Sequence, residues 1–202
     1  AGTVSVVLPA KDEEATVGQI VAAIRRDLMA PGARLVDELV VVDSGSRDGT
    51  ARVAAAAGAT VVPRDAVLPR MPTLPGKGEV LWRSLACTTG DLIAFVDSDL
   101  IDPDPAFVPK LLGPLLTTPG THLSKAYYRR PLRQGESVDA HGGGRVTELV
   151  ARPLLAALRP ELAQVLQPLG GEYAGTRELL TAVPFAPGYG VEIGLLLDTY
   201  DQ

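Results

Sequence analysis

The chain has 202 residues, of which 46% are hydrophobic and 21% are charged, a composition typical of a soluble globular protein with a substantial core. Its net charge of −5 argues against a nucleic-acid-binding protein, because such proteins usually present a basic face. No apolar stretch approaches the roughly 18 residues needed to cross a bilayer, so we expect no membrane association. The one cysteine, Cys87, excludes an internal disulfide and fits a reducing cytoplasm.

Strand-like and helix-like segments alternate through the first hundred residues. Short apolar, β-branched runs predict strands at 3–8, 39–42, 60–62 and 91–97. Apolar residues at helical spacing predict a helix at 17–28, and we expect further helices at 48–57, which Gly58 should end, and at 77–88. This βαβαβ order predicts an α/β fold with a doubly wound, mostly parallel sheet and flanking helices.

The second half of the chain is less regular. We predict a strand at 122–128, a loop over 132–144 and a helix over 145–158 that Pro153 kinks or divides. A short strand at 170–175 should precede Thr176, which caps a helical turn, and a last helix should cover 191–200. We find no internal repeat and no convincing linker, so we expect one domain over residues 1–202.

Polar residues follow the predicted strands at points that a parallel sheet would bring to one edge, where ligands bind. Asp97-Ser98-Asp99 ends the buried run of the fourth strand. Two carboxylates there suit Mg²⁺ or Mn²⁺ whose remaining ligands are phosphate oxygens, although the same residues are common in ordinary turns. Three further segments fall at the same edge, namely 9–14, 43–50 and 75–78.

Three of these residues have candidate roles in binding a nucleotide. Lys77 lies between two glycines at a predicted helix start, where an ammonium and free N–H groups could meet a phosphate. Glu13 and Ser44 could hydrogen-bond a base or a ribose, with helix capping as the alternative for both. The chain lacks a Walker-type phosphate loop and a G-x-G-x-x-G motif, which disfavours a dinucleotide fold.

Several motifs resemble a known family. The order Leu8-Pro9-Ala10, Asp12-Glu13-Glu14, Asp43-Ser44-Gly45-Ser46 and Asp97-Ser98-Asp99 resembles the nucleotide-sugar glycosyltransferases of the GT-A fold. Longer segments at 75–79, 128–132, 142–149 and 184–192 resemble the actinobacterial glucosyl-3-phosphoglycerate synthases, and the resemblance extends over nearly the whole chain.

The resemblance implies an enzyme that transfers glucose from UDP-glucose to the 2-hydroxyl of 3-phospho-D-glycerate, with retention at the anomeric carbon and Mg²⁺ or Mn²⁺ as cofactor. Residues 1–100 would form a nucleotide-binding half and residues 101–202 an acceptor-binding half of a cytoplasmic homodimer.

The same resemblance implies a set of site residues. Asp97 and Asp99 would bind the metal. Asp99, Lys77 and Glu192 would be catalytic. The acceptor would bind Gly144, Arg145, Val146 and Thr147. The nucleotide sugar would contact Pro9, Ala10, Lys11, Glu13, Ser44, Gly76, Lys77, Asp97, Ser98, Leu169, Tyr189 and Glu192.

Two features depart from the family pattern. Family members continue beyond the last helix and contribute a histidine to the metal, whereas the histidines here are His122 and His141, neither of which matches it. The sequence is therefore expected to be a fragment or to have lost part of its site. Lys11 stands where relatives are apolar, which leaves recognition of the base open.

Three alternatives to this reading remain. The first is the same fold using GDP-mannose or GDP-glucose to make mannosyl-3-phosphoglycerate or a related product. The second is a nucleotidyltransferase, which also combines a doubly wound sheet with paired acids. The third is a truncated domain that binds a nucleotide sugar without catalysis.

Overall fold

The computed structural model describes residues 2–32, 34–101, 103–104, 106–127 and 144–202, together with the backbone of 132–134 and 137–139. The chain forms two compact units, one made of Ala1–Ser124 with Gly171–Gln202 and a smaller one made of Lys125–Gly170. The division at residue 100 into nucleotide-binding and acceptor-binding halves is a functional one, and it stays a prediction.

The regular elements alternate as an α/β chain should. In order they are β1 (Val4–Ala10), α1 (Val17–Leu28), β2 (Glu38–Asp43), α2 (Thr50–Ala57), β3 (Thr60–Pro63), α3 (Lys77–Ser84), β4 (Leu92–Phe95), α4 (Phe107–Thr117), β5 (Leu123–Lys125), β6 (Leu132–Gln134), β7 (Ser137–Asp139), α5 (Arg152–Leu158), β8 (Tyr173–Thr176), α6 (Arg177–Ala182) and α7 (Val191–Tyr200).

Six strands form one sheet in the order β3-β2-β1-β4-β8-β5. Strands β1 to β4 pair in parallel, and β8 runs antiparallel to β4. The mostly parallel, doubly wound sheet predicted from the alternating segments is confirmed. From β1 the chain adds β2 and β3 on one side and then β4 on the other side, so the strand order switches direction between β1 and β4. Ligands of open α/β sheets bind at the carboxyl ends of the strands at such a switch point, here β1, β2 and β4.

The central strands are buried because helices cover both faces of the sheet. Strand β2 shows this in its run of apolar side chains, each no more than 3% exposed (Leu39, Val40, Val41 and Val42). Phe95 of β4 packs on Tyr173 of the antiparallel β8, with ring centroids 5.0 Å apart. This packing fixes the end of β4, and therefore the position of the acidic segment that follows it.

Several elements match their predicted bounds, and others do not. Helices α1 and α7 begin and end at their predicted residues, and the Thr176 hydroxyl caps α6 by accepting the N–H of Leu179. Helix α3 ends at Ser84, earlier than predicted, and β5 has three residues rather than seven.

Helix α4 was not predicted. Pro114 lies in its interior, where proline removes a hydrogen bond, whereas Pro109 lies in the first turn, where the missing N–H costs little. The helix forms nevertheless, because Val108, Leu111 and Leu112 are all buried. Burial of this apolar face therefore outweighs the local preference of the sequence.

The smaller unit corrects one prediction. Strands β6 and β7 pair antiparallel, so the prediction of a loop was wrong for these six residues.

Residues 145–158 are helical, with a π-helical turn at Thr147–Ala151 before α5. Pro153 lies just after this π-helical turn, so the helix changes from π to α next to the proline, at the boundary that the sequence predicted. Within the described part of the chain, no helix is both long and apolar enough to span a bilayer.

Candidate active site

Hydrogen bonds join the ends of the three central strands. The N–H of Ser44, after β2, donates to the carbonyl of Ala10 at the end of β1 over 2.8 Å. The Ser98 hydroxyl, after β4, donates to the carbonyl of Pro9 over 2.7 Å. The Thr16 hydroxyl donates in turn to the carbonyl of Ser98 over 2.7 Å. These bonds hold the predicted nucleotide-binding segments together at one edge of the sheet.

The loop after β1 is fixed to the loop after β2. Asp12 adopts a left-handed conformation with φ of 57°, which a short polar side chain tolerates. Its N–H donates to the Ser46 hydroxyl, and its carboxylate accepts the N–H of Arg47. The N–H of Glu13 donates to the Thr50 hydroxyl at the start of α2. Much of the Asp12-Glu13-Glu14 motif therefore serves the local structure.

The Glu13 carboxylate also lies in a region of accumulated negative charge. It is half-buried and lies 3.2 Å from the Thr16 hydroxyl, whose single proton it shares as a hydrogen bond with the carbonyl of Ser98. Burial raises the pKa of Glu13, and the carboxylates of Asp99 and Asp48 raise it further against the lowering effect of that hydrogen bond. A cation bound near Asp99 would relieve this repulsion.

The centre of the site is a lysine between two carboxylates. Lys77 Nζ lies 2.5 Å from Asp97 Oδ1 and 2.9 Å from Glu192 Oε1. The three side chains are 16%, 23% and 9% exposed respectively, so the contacts are largely shielded from water. Burial on its own disfavours the ammonium, but the two carboxylates outweigh it and raise the pKa of Lys77. Lys77 is therefore a cation held at the edge of the sheet.

Two glycines bring this lysine to Glu192. Gly76 has φ of +107°, and a β-carbon there would strike the backbone of Gly188. A β-carbon on Gly78 would strike the carbonyl of Ala186. The start of α3 thus packs directly against the segment that leads into α7. The sequence had suggested that these glycines expose N–H groups to a phosphate, and the structure gives them a packing role as well.

A third glycine leaves room for the ion pair. A β-carbon on Gly171 would lie 2.6 Å from Lys77 Nζ and would overlap the Asp97 carboxylate. Gly171 was not predicted as a site residue. No local motif in the sequence marks it, because it reaches the site through the pairing of β8 with β4.

Asp97 and Asp99 are suited to a shared divalent cation. Asp97 is half-buried beside Lys77, whereas Asp99 is exposed beyond the end of β4. Among the described residues, no three His, Cys, Asp or Glu side chains are grouped as metal ligands. Two carboxylates without a third ligand fit Mg²⁺ or Mn²⁺, because such ions commonly complete their shell with substrate phosphates and water.

Other predicted site residues are exposed or belong to the smaller unit. Lys11 is exposed, and the Tyr189 side chain is 87% exposed in the turn before α7. The remaining predicted residues belong to the smaller unit, where Arg145 is exposed and Leu169 is half-buried. Their roles stay predictions. Neither histidine was expected to bind the metal. The Nδ1 atom of His122 lies 3.3 Å from the Thr176 hydroxyl, and His141 lies outside the described residues.

Two arginines of the larger unit form side-chain contacts that were not predicted from the sequence. Arg64 follows β3 and donates to the Ser44 hydroxyl over 3.1 Å. Arg83 on α3 is fully buried and forms an ion pair with Glu79, four residues earlier on the same helix. The i, i+4 spacing of Glu79 and Arg83 was a readable signal, whereas nothing local marks the contact of Arg64 with Ser44.

Comparison with known proteins agrees with this geometry. The glycosyl transferase family 2 model matches residues 5–155. The chain is 73% identical over 200 residues to a glucosyl-3-phosphoglycerate synthase of Mycolicibacterium smegmatis, covering 99% of this chain and 65% of the relative. It is 63% identical over 203 residues to the Mycobacterium tuberculosis protein of the same name, covering 99% and 61%.

Solved structures give the same result. A crystal structure of glucosyl-3-phosphoglycerate synthase from M. tuberculosis, in complex with Mn²⁺, UDP-glucose and phosphoglyceric acid, matches with a TM-score of 0.90 and 60% identity. That match covers 100% of this chain and 66% of the crystallised chain. The chain therefore spans just under two thirds of these relatives. With a family model matched over most of its length, and the strand-end acids that the fold brings together, the chain belongs to glycosyl transferase family 2.

Proposed function

We propose that this chain carries the donor and acceptor sites of a metal-dependent glucosyltransferase that moves glucose from UDP-glucose to the 2-hydroxyl of 3-phosphoglycerate. The observation that carries the proposal is the Lys77 ammonium between Asp97 and Glu192, with Asp99 following at the same strand end. Relatives at 73% and 63% identity are named for this product, and the matching crystal structure holds both substrates.

The donor diphosphate is the proposed ligand of Lys77. A buried ammonium with a raised pKa keeps its charge at neutral pH, so it can neutralise charge that develops on the departing UDP. A divalent cation on Asp97 and Asp99 would supply the same stabilisation from the other side of the phosphates. Glu192 would then exchange part of its contact with Lys77 for hydroxyl groups of the transferred sugar.

The nucleoside would lie over the strand ends that hydrogen bonds hold together. Pro9 is partly exposed and offers an apolar contact, whereas Ala10 is 2% exposed and would contribute through its backbone. The Ser44 hydroxyl offers a polar contact. Glu13 lies at the same edge, with its carboxylate half-buried. In this arrangement the backbone fixes the position of the base, and few side chains need to move when it binds.

The acceptor phosphate is the proposed ligand of residues 144–147 in the smaller unit. Gly144 has φ of +80°, a conformation that favours glycine, and the helix begins directly after it. The first N–H groups of a helix bind anions, and the exposed Arg145 adds a forked donor. Val146 and Thr147 would complete this contact.

We also propose that the anomeric configuration is retained without a covalent intermediate on Glu192. That carboxylate is only 9% exposed and paired with Lys77, which makes it a poor nucleophile. A glycosyl adduct trapped on Glu192 would contradict this part of the proposal. A cytoplasmic location and a homodimer complete the proposal, and both follow from the family resemblance.

The direct test is an assay of UDP release with UDP-glucose, 3-phosphoglycerate and Mn²⁺. Release that depends on the acceptor supports the proposal. Release of GDP from a GDP-sugar at a higher rate would reassign the donor. Formation of pyrophosphate would indicate a nucleotidyltransferase, which membership of the family already disfavours. UDP binding without any turnover would identify a non-catalytic domain.

A further inference from the structure

The start of α1 contacts the turn that carries Asp99. The Thr16 hydroxyl donates to the carbonyl of Ser98 over 2.7 Å, and the side-chain amide of Gln19 donates to the carbonyl of Leu100 over 3.2 Å. Thr16 directly precedes the helix and Gln19 lies in its first turn, three residues later, a spacing that brings side chains to one face of a helix. The two contacts therefore hold the residues immediately before and after Asp99.

The Thr16 hydroxyl does not serve its own helix. A threonine at this position usually accepts a hydrogen bond from an N–H group of the first turn, but the Thr16 side chain makes no such cap. Its single proton lies between the Ser98 carbonyl at 2.7 Å and the Glu13 carboxylate at 3.2 Å, and the shorter distance favours the carbonyl. Thr16 thus forgoes the usual stabilisation of a helix start for a contact with a turn 82 residues further along the chain.

The Asp99 carboxylate depends on the backbone of this turn for its position. It is exposed beyond the end of β4, and no hydrogen bond between described residues reaches it. Ser98, by contrast, is 5% exposed, and its hydroxyl donates to the carbonyl of Pro9 over 2.7 Å. Because Ser98 is fixed both at its side chain and at its carbonyl, the next residue projects from a backbone that cannot turn freely.

We propose that Thr16, assisted by Gln19, is a positioning residue that directs the Asp99 carboxylate at the divalent cation. The inference rests on the proposed function, in which Asp99 binds the metal. Thr16 acts through the backbone of Ser98 and does not itself contact the ion. Removing a group that orients a metal ligand commonly weakens metal binding by roughly 10–100-fold, and we expect the lower end here, because Thr16 holds the backbone and not the carboxylate.

The test is the affinity of the UDP-saturated protein for Mn²⁺, measured from the electron paramagnetic resonance signal of free Mn²⁺. Thr16→Val keeps the shape of the side chain but removes the donor, and it should weaken Mn²⁺ binding about tenfold. Thr16→Ser keeps the hydroxyl and should restore most of the affinity. UDP binding without Mn²⁺, measured by titration calorimetry, should be the same in Thr16→Val as in the unmodified protein. Gln19→Leu should weaken Mn²⁺ binding less, because its contact is exposed, and it tests the same turn if Thr16→Val does not fold.

Thr117→Val is the matched control. The Thr117 hydroxyl also donates to a carbonyl, that of Gly113, over 2.8 Å, but on the exposed surface of α4, so its loss should leave Mn²⁺ binding unchanged. Unchanged Mn²⁺ affinity in Thr16→Val would overturn the inference. So would an equal loss of UDP affinity with and without Mn²⁺, which would show that Thr16 supports the nucleotide pocket and not the metal ligand. Mn²⁺ binding that survives Asp99→Ala would instead refute the metal site of the proposed function, so the two failures can be told apart.

Discussion

Replacement of Arg83 by methionine should destabilise the larger unit severely. The guanidinium is 0% exposed and is matched at every donor. It donates to the Glu79 carboxylate and to four loop carbonyls, those of Val67, Leu68, Met71 and Pro72. Methionine keeps the length and apolar stem of the side chain, so the change isolates the polar contacts.

The magnitude follows from what the substitution leaves behind. Glu79 is 6% exposed, and removing one partner of a buried ion pair costs about 3–5 kcal/mol. Summing the separate charged hydrogen bonds would give a larger figure, but the loop carbonyls can turn towards water, so we expect a cost near that range. Domains of this kind have total stabilities of roughly 5–15 kcal/mol, so a large part of the reserve would be lost.

Urea-induced unfolding measures this cost. The one tryptophan of the chain, Trp82, precedes Arg83 and should report the transition by its fluorescence. Arg83→Lys keeps a charge for Glu79 but cannot reach four carbonyls, so it should recover less than half of the loss. The control is Arg52→Met, which removes an exposed pair with Glu14 and should cost less than about 1 kcal/mol. A loss below about 1.5 kcal/mol for Arg83→Met would show that water replaces these contacts, and would refute the reasoning.

Four other substitutions test the site. Lys77→Met should weaken UDP binding by about 1.5–3 kcal/mol, as measured by titration calorimetry. The control is Lys110→Met, which removes an exposed ion pair and should leave UDP binding unchanged. Asp99→Ala should abolish the dependence of UDP binding on Mn²⁺, and an unchanged affinity in Mn²⁺ would count against the metal assignment. Arg145→Ala should weaken 3-phosphoglycerate binding by about 1.5–3 kcal/mol and UDP binding much less, and equal losses would contradict its assignment to the acceptor. Because the pKa of Glu13 is raised, this residue contributes most to stability below its ordinary pKa of 4.5, and the contribution is lost as the pH rises through the raised value. Glu13→Gln does not titrate, so its stability relative to the unmodified protein should increase between about pH 4 and pH 7. Urea titrations at both pH values measure this difference.

The agreement between sequence and fold is best where the signal is local. The apolar spacing of 17–28 requires one buried face, and α1 forms within those bounds. The last helix also forms at its predicted residues, 191–200. The position of Asp97-Ser98-Asp99 was also predicted from a local signal, because a buried apolar run that is followed by acidic residues must end at the edge of the sheet. Helix α4 was missed: Pro114 in its interior opposes the helix locally, and burial of its apolar face is what accounts for it.

Only some residues of the candidate site could be predicted from local sequence signals. Lys77 was singled out by the glycines beside it, but Glu192 reads as an ordinary surface carboxylate on a helix. The structure buries it and pairs it with Lys77. Arg64 and Gly171 were missed altogether, because neither belongs to a motif and each meets its partner across the sheet.

By itself, then, the sequence determined the α/β class, the order of the elements and the acidic strand end, because each depends on neighbours a few positions apart. The apolar spacing also marked the helix at 145–158, although Leu149 and Leu158 on it are each 73% exposed. Only the tertiary structure decided which distant groups meet. The contact of Gly76 with Gly188 brings Lys77 to Glu192, and it depends on close backbone approach between segments that no local pattern connects.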